Sequence, residues 1–128
     1  MLDLGLLILR LVAGLTMAGH AVQKLFGWFG GHGVKGTADF FESIGIKPGV
    51  PMVALAGLSE LVGGLLFAAG VWTAVGSALI IVTMLVAIFK VHGKNGFWVT
   101  EGGMEYNVLL IAVALAVAMT GPGAYTLF

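Results

Sequence analysis

The sequence contains no cysteine among its 128 residues. Disulfide bonds, thiolate nucleophiles and cysteine-ligated iron–sulfur clusters are therefore excluded for this polypeptide. Charge is also scarce, because only 9% of the residues are Asp, Glu, Lys or Arg and the formal net charge is zero. Since the chain has no basic run, we expect no nucleic-acid partner. Any redox role needs a cofactor or a partner from outside the chain.

Apolar residues dominate the sequence, with a hydrophobic fraction of 59% and a mean hydropathy of +1.08. A hydrocarbon layer about 30 Å thick is crossed by roughly 20 apolar residues in a helix. Four stretches approach this length, and they predict an all-α protein with a single membrane-embedded domain, residues 1–128, built as a transmembrane four-helix bundle in the lipid bilayer. The predicted spans are residues 4–25, 50–69, 73–91 and 105–120.

The loop after the first span predicts a further, shorter helix. Residues 37–44 have Thr37 in position to cap the N-terminus and Gly45 in position to end the helix. Phe40 and Phe41 fall on an apolar face. This pattern is typical of a helix that lies in the membrane interface, and a connector that covers the end of the bundle is the alternative.

The distribution of positive charge predicts the orientation in the membrane. The terminal side of the bundle holds only Arg10 and the amino terminus. The loop side carries Lys24, Lys35, Lys47, Lys90 and Lys94. Lysine and arginine are enriched in cytoplasmic loops. We therefore expect the long loops to be cytoplasmic and both termini to lie outside.

Glu60 is the single charged residue within the second predicted span. A carboxylate at that depth costs several kcal/mol unless it is neutralised, paired or hydrated, so it marks a candidate functional site. Its neighbours one helical turn away on either side are all small, which favours close helix contact around the carboxylate. These neighbours are Ala56, Gly57, Gly63 and Gly64.

Two hypotheses give Glu60 a partner. Arg10, His20 and Lys24 share one face of the first span, so either end of that face could reach the carboxylate. An Arg10–Glu60 ion pair would be a structural lock. Alternatively, Glu60 forms the floor of a polar pocket that opens to the loop side, and both arrangements could hold together. The predicted pocket residues are His20, Gln23, Lys24, Glu60, Lys90, His92, Glu105 and Asn107.

The chemistry of this set suits a quinone, whose carbonyl oxygens need hydrogen-bond donors and whose reduction needs protons. We predict His20 and Glu60 as the catalytic, proton-handling groups, because imidazole titrates near neutral pH and burial tunes a carboxyl. The predicted ligand-binding residues are Arg10, Gln23, Lys24, Lys90, His92, Glu105 and Asn107. A haem b held by His20 and His92 is the weaker alternative. No metal site is predicted.

Several motifs occur in order over almost the whole chain: His20 with Gln23-Lys24-Leu25-Phe26-Gly27, Gly36-Thr37 with Phe40-Phe41, Ala56-Gly57 with Glu60-Leu61 and Gly63-Gly64, Glu105-Tyr106-Asn107, and Thr120-Gly121-Pro122-Gly123. Together they resemble the DoxX family of small bacterial four-span membrane proteins. The resemblance implies a four-helix bundle in the bacterial cytoplasmic (inner) membrane. Carried over by residue, it points to His20, Gln23, Lys24, Glu60, Glu105 and Asn107.

The resemblance also implies an association with oxidoreductases. Members of the family include the large membrane subunit of a thiosulfate:quinone oxidoreductase. Another member links a superoxide dismutase and a sulfurtransferase in a membrane complex that copes with oxidative stress. A soluble oxidoreductase or sulfurtransferase is therefore the expected partner of this chain.

Three functions remain open from the sequence. The first is a redox-linked membrane subunit that binds a quinone between its helices. The second is a non-catalytic scaffold that recruits a soluble enzyme through loop residues such as His32, Lys35 and Lys94. The third is a small transporter or a proton path. A homo-oligomer is also compatible with the sequence, since alanines alternate along the last span between residues 112 and 118.

Overall fold

The computed structural model describes residues 1–92, 96–98 and 103–126, with the backbone alone at Phe29, Val91 and His92. Within these residues all regular structure is helical, which confirms the predicted all-α class. The helices are α1 (Leu2–Phe26), α2 (Gly33–Ser43), α3 (Gly49–Ala69), α4 (Thr73–Ala87) and α5 (Glu105–Thr120), with a 3₁₀ turn at Trp28–Gly30 and a π turn at Ile88–His92 that continues α4.

Three of these helices are long and apolar enough to cross a membrane, namely α1, α3, and α4 with its continuation to Lys90. They contain 25, 21 and 18 residues. At a rise of about 1.5 Å per residue, they measure roughly 37, 31 and 27 Å, against a hydrocarbon layer of about 30 Å. Helix α5 is apolar but has only 16 residues. The chain is therefore a multi-pass membrane protein, and three of the predicted spans have spanning length.

Helices α1 and α3 are antiparallel and pack backbone against backbone. Gly14 of α1 faces Gly64 of α3 so closely that a Cβ atom on Gly14 would lie 2.4 Å from the Gly64 carbonyl oxygen. Further along, Gly57 of α3 lies against Leu25 of α1. Glycine allows this approach because it carries no side chain. The small neighbours of Glu60 thus do bring another helix close to it, as the sequence predicts.

Replacing Gly64 by alanine is expected to destabilise the protein by about 1–3 kcal/mol, the usual cost of overpacking a tight contact. The added Cβ would lie 2.5 Å from the Gly14 carbonyl oxygen, and neither backbone can move away without separating α1 from α3. The free energy of unfolding in detergent measures the effect. Gly19→Ala is the matched control, because a Cβ there meets nothing within 4 Å. An equal loss in both variants would show that the α1–α3 contact is not the cause.

Helices α3 and α4 form an antiparallel hairpin, because residues 70–72 alone connect them. Gly70 ends α3 in the left-handed conformation, with φ at 75°, a conformation that glycine adopts readily. Gly76 of α4 packs closely on Gly63 of α3, since a Cβ on Gly76 would lie 3.1 Å from the Gly63 carbonyl oxygen. Helix α5 packs mainly on α4. The buried core runs through α1, α3, α4 and α5 and includes Met17, Phe67, Ile80 and Val117.

Helix α2 packs on both α3 and α1, and it begins earlier than predicted. Its first residue is Gly33 rather than a residue after Thr37, and Thr37 lies buried within the helix instead of capping it. Two glycines in the first turn are weak helix formers, so the packing against α1 and α3 overrides local propensity. The predicted end before Gly45 is confirmed. A hydrogen bond of 3.0 Å from the Gly49 amide to the Glu42 carboxylate ties α2 to the start of α3.

Candidate functional site

The partner of Glu60 is Lys24. Glu60 lies in the middle of α3 with its side chain 1% exposed, and its Oε1 atom forms an ion pair with Nζ of Lys24 on α1. The Lys24 side chain is 29% exposed, so the pair connects the bundle interior to the surface. Lys24, one of the predicted pocket residues, therefore neutralises the buried carboxylate.

The direction of the side chains explains this pairing. A Cα–Cβ bond on a helix leans towards the N-terminus of that helix. Since α1 and α3 are antiparallel, Lys24 leans from the loop end into the bundle, whereas Glu60 leans from the middle of α3 towards the loop end. The two side chains thus converge. Arg10 is also on α1, but it leans away from Glu60.

Arg10 is buried at the opposite end of the bundle, with 1% exposure. Its guanidinium donates three hydrogen bonds to carbonyl oxygens, from Nε to Phe67 at 3.3 Å, from Nη2 to Ala68 at 3.2 Å and from Nη1 to Pro122 at 2.7 Å. The first two acceptors belong to the last turn of α3, where the helix dipole favours a cation. The hypothesised Arg10–Glu60 pair is not formed, and Arg10 lies outside the loop-side site.

A cavity of about 580 Å³ lies between α2, α3 and α4, with the Lys24–Glu60 pair at its floor. Its wall is almost entirely apolar apart from the pair, Lys90 and three hydroxyl-bearing residues. The lining residues are Lys24, Thr37, Phe40, Phe41, Ile46, Met52, Leu55, Ala56, Ser59, Glu60, Val82, Thr83, Val86, Ala87 and Lys90. The volume falls within the range of about 300–1,000 Å³ that is usual for small-molecule sites.

The cavity opens sideways onto the outer surface of the α3–α4 pair. Leu55, Val82 and Val86 line the cavity and are exposed by 62%, 59% and 51%. In a multi-pass protein these outward apolar side chains face hydrocarbon. An apolar ligand can therefore reach the Lys24–Glu60 pair from the lipid without passing through water.

A second, smaller space of about 280 Å³ lies on the other side of Lys24, and we call it the vestibule. In contrast to the cavity, it is bounded mainly by polar side chains and by glycine backbone. Its lining residues are His20, Gln23, Lys24, Gly30, Gly31, His32 and Thr37. The loop at Gly31 rests directly on α1, since a Cβ on Gly31 would lie 2.5 Å from the Gln23 side chain. Lys24 and Thr37 line both spaces.

The structure divides the predicted pocket rather than assembling it as one unit. His20 and Gln23 line the vestibule, with His20 Nδ1 and Gln23 Oε1 3.2 Å apart, while Lys90 lines the cavity. Asn107 is buried against Met84, with its Nδ2 atom 3.3 Å from the sulfur. The side chain of His92 lies outside the described residues, so the haem alternative stays a prediction. Glu105 begins α5 and lines neither space.

Tyr106 of α5 is a site residue that the sequence analysis missed. Its hydroxyl is buried without a hydrogen-bond partner among the described residues. It lies within electrostatic reach of the Glu60 carboxylate, and its ring meets His20 edge-on at 5.4 Å between centroids. In the sequence, Tyr106 lies between the predicted site residues Glu105 and Asn107, and this position could have identified it. Ser59 and Thr83 were also missed, because small hydroxyl groups in apolar spans usually bond to their own backbone, as Thr83 does to Leu79 at 2.7 Å.

The arrangement can hold an amphipathic molecule and exchange protons with it. Within the described residues, the cavity contains one carboxylate, Glu60, and two ammonium groups, Lys24 and Lys90, so its lining carries a net positive charge. Ammonium groups donate hydrogen bonds to carbonyl or anionic oxygens. A buried carboxylate beside a lysine can accept a proton when the local charge changes. These groups can bind and protonate a ligand, but they are not redox-active and cannot reduce it.

Comparisons with known proteins agree with the sequence motifs. A family model described as DoxX matches residues 5–93, a range that includes every residue lining the cavity. The chain is also 32% identical over 119 residues to the Bacillus subtilis (strain 168) protein named “Putative oxidoreductase CatD”. That alignment covers 93% of this chain and 81% of the relative. No solved structure matches the chain.

Proposed function

The chain belongs to the DoxX family, and from this premise we propose that it is the membrane subunit of a redox system and binds a quinone in its cavity. The similarity to a protein whose name describes an oxidoreductase supports the redox association. The observation that carries the proposal is the cavity itself. It combines an apolar wall, a lateral opening to lipid and an ion pair at the floor.

Each part of the cavity matches a part of such a ligand. The apolar wall suits an aromatic ring and the start of an isoprenoid chain, and the mouth at Leu55 and Val86 lets the chain continue into the bilayer. The ammonium groups of Lys24 and Lys90, which line the cavity, would donate hydrogen bonds to the carbonyl oxygens of the quinone. Glu60 balances the charge of Lys24. When bound, a quinone would supply the ability to accept two electrons together with two protons.

The electrons must come from a donor outside the cavity, because lysine, glutamate, serine and threonine side chains are not redox-active. We propose a soluble oxidoreductase as that donor, with a sulfurtransferase as a further candidate partner. The loop side is the proposed docking side, since the ion pair is reached from there through the vestibule. His32 and Lys35 are exposed on this side, while the third predicted contact, Lys94, lies outside the described residues.

The proposed topology follows from the same site. Helix α5 would complete a four-helix bundle in the bacterial inner membrane, and α2 would lie at the interface as a cover over the cavity. The long loops would be cytoplasmic and the termini outside, as the lysine distribution predicts. Ala112, Ala116 and Ala118 of α5 are exposed, so a homo-oligomer through this helix stays a prediction.

Quinone binding is tested with the purified protein in nanodiscs, by mass spectrometry of the extracted lipid and by equilibrium binding of decylubiquinone. We expect the wild type to carry quinone and Glu60→Gln to weaken decylubiquinone binding by at least about tenfold, equivalent to about 1.4 kcal/mol. Asp39→Asn is the matched control, because it makes the same chemical change on an exposed carboxylate outside the cavity. Circular dichroism confirms that each variant is folded.

A second variant separates loss of the site from loss of the ion pair. Ala87 lines the cavity on α4, so Ala87→Phe fills space without removing any charge. It should abolish binding of decylubiquinone while the protein stays folded. Binding that is unchanged in both Glu60→Gln and Ala87→Phe would exclude this cavity as the quinone site. A Soret band in the purified protein would favour haem, and a co-purifying enzyme without any quinone would favour the scaffold function.

A further inference from the structure

The cavity and the vestibule share two residues, Lys24 and Thr37. On one side of this boundary the lining is apolar and open to lipid, and on the other it is polar and near the loop end of the bundle. Thr37 is a buried residue of α2, and Lys24 crosses from the surface to Glu60. Among the described residues, these two side chains thus form the boundary between the two spaces.

Glu60 has no direct contact with solvent, since its side chain is 1% exposed. In the described part of the chain, the charged and titratable groups near it include Lys24 from α1, Tyr106 from α5 and Lys90 at the end of α4, while α2 contributes the neutral Thr37. The Tyr106 hydroxyl is itself buried and has no hydrogen-bond partner in the described part of the chain. Lys90 is exposed at the end of α4 and lines the cavity but not the vestibule. Of these described groups, Lys24 is the one that borders both spaces.

We propose that the vestibule is the proton entrance of the cavity and that Lys24 is the group through which protons pass. The proposal rests on the proposed function for the identity of the proton acceptor. Access of loop-side water to the vestibule does not depend on that identity. His20 and His32 line the vestibule, and an imidazole ring can accept a proton at one nitrogen and donate one from the other. Lys24 and the two histidines act as proton-transfer groups.

The steps balance in atoms and charge. A Lys24 N–H bond breaks, and the proton forms an O–H bond with the ligand oxygen in the cavity. The neutral Lys24 amine then takes a proton from vestibule water, directly or through an imidazole of His20 or His32. Each cycle thus moves one proton from the loop-side water into the cavity. The positive charge of that proton is matched by one electron from the soluble reductase, and two cycles supply the two protons that quinone reduction consumes.

The water path is tested without any ligand. The chain contains no cysteine, so each introduced cysteine is a unique label. His20→Cys and Gln23→Cys, both in the vestibule, should react in proteoliposomes with a charged, membrane-impermeant methanethiosulfonate. Thr16→Cys is the control, because Thr16 is exposed on α1 but lines neither space, and it should stay unlabelled. If folded His20→Cys and Gln23→Cys are as unreactive as the control, the vestibule is dry and the proposal is overturned.

The proton role is tested with Thr37→Leu, which removes the hydroxyl and fills the boundary between the two spaces. Stopped-flow absorbance follows the reduction of bound decylubiquinone by dithionite in nanodiscs, in H₂O and D₂O. At saturating decylubiquinone, we expect reduction to slow by at least about tenfold with a larger solvent isotope effect, the scale of lost proton-transfer catalysis. Thr16→Leu makes the same chemical change away from the site and should leave the rate unchanged.

The outcomes separate this inference from the proposed function. Vestibule labelling together with slow reduction in Thr37→Leu supports the proton entrance. Reduction at the wild-type rate in Thr37→Leu overturns it even if decylubiquinone binds normally. Failure of the wild type to bind decylubiquinone overturns the proposed function alone, and cysteine labelling then still decides whether water reaches the vestibule.

Discussion

Replacing Lys24 by methionine is expected to destabilise the protein by about 3 kcal/mol, because it leaves the Glu60 carboxylate buried without its partner. Glu60 must then either remain charged in a low-dielectric interior or take up a proton, and both states lie higher in free energy than the ion pair. Methionine has nearly the length of lysine, so the packing around the pair is largely kept. Equilibrium unfolding in mixed micelles measures the loss.

The double variant Lys24→Met with Glu60→Gln provides the decisive comparison. When both charges are removed together, no unpaired charge is left, and stability should return to within about 1 kcal/mol of the wild type. Lys35→Met is the matched control, since Lys35 is exposed and lies outside both spaces. If the double variant is as unstable as Lys24→Met alone, the cost arises from packing and not from the unpaired carboxylate.

Replacing Arg10 by methionine is expected to cost about 2–4 kcal/mol, because three hydrogen bonds from a charged donor are lost at a buried site. The loss should also release the C-terminal segment, since the shortest of these bonds, 2.7 Å long, holds the Pro122 carbonyl oxygen. Amide hydrogen exchange over residues 121–126 reports this release directly. The amide of Ala124, which donates to Asp3 at 3.0 Å, is one of the probes.

Arg10→Lys distinguishes the charge from the geometry. Lysine keeps the positive charge near the last carbonyl groups of α3, but it cannot span three acceptors with a planar guanidinium. An intermediate loss of stability is therefore expected, with exchange at residues 121–126 faster than in the wild type. Unchanged exchange in Arg10→Met would show that the C-terminal segment is held by other contacts.

Much of the fold could be predicted because the apolar runs are long and clearly separated. The hairpin of α3 and α4 follows from a connection too short for any other arrangement. The early start of α2 could not be predicted, since Gly33 and Gly36 are poor helix formers and only the packing against α1 and α3 makes this turn helical. The length of α5 is readable from the sequence, but it falls below that of an ordinary span.

Several residues of the candidate site could be predicted, but the residue that pairs with Glu60 could not. Estimated depth in the membrane placed Glu60 between Arg10 and His20. The direction in which side chains lean along antiparallel helices brings Lys24, and not Arg10, to the carboxylate. Spacing along one helix also could not show that Thr37, assigned as a cap, would become part of the wall between two spaces. That arrangement depends on how α2 folds back over α1 and α3, which is tertiary information.

The wall shared by the cavity and the vestibule links the two spaces thermodynamically. A ligand that shifts Lys24 or Thr37 from the cavity side also alters the surroundings of His20 and His32 on the other side. Linkage requires such coupling to be reciprocal. If protonation of a vestibule histidine strengthens ligand binding, the bound ligand must raise the proton affinity of that histidine by the same factor. Ligand affinity would then vary with pH, and binding itself would draw protons from the loop-side water before any electron arrives.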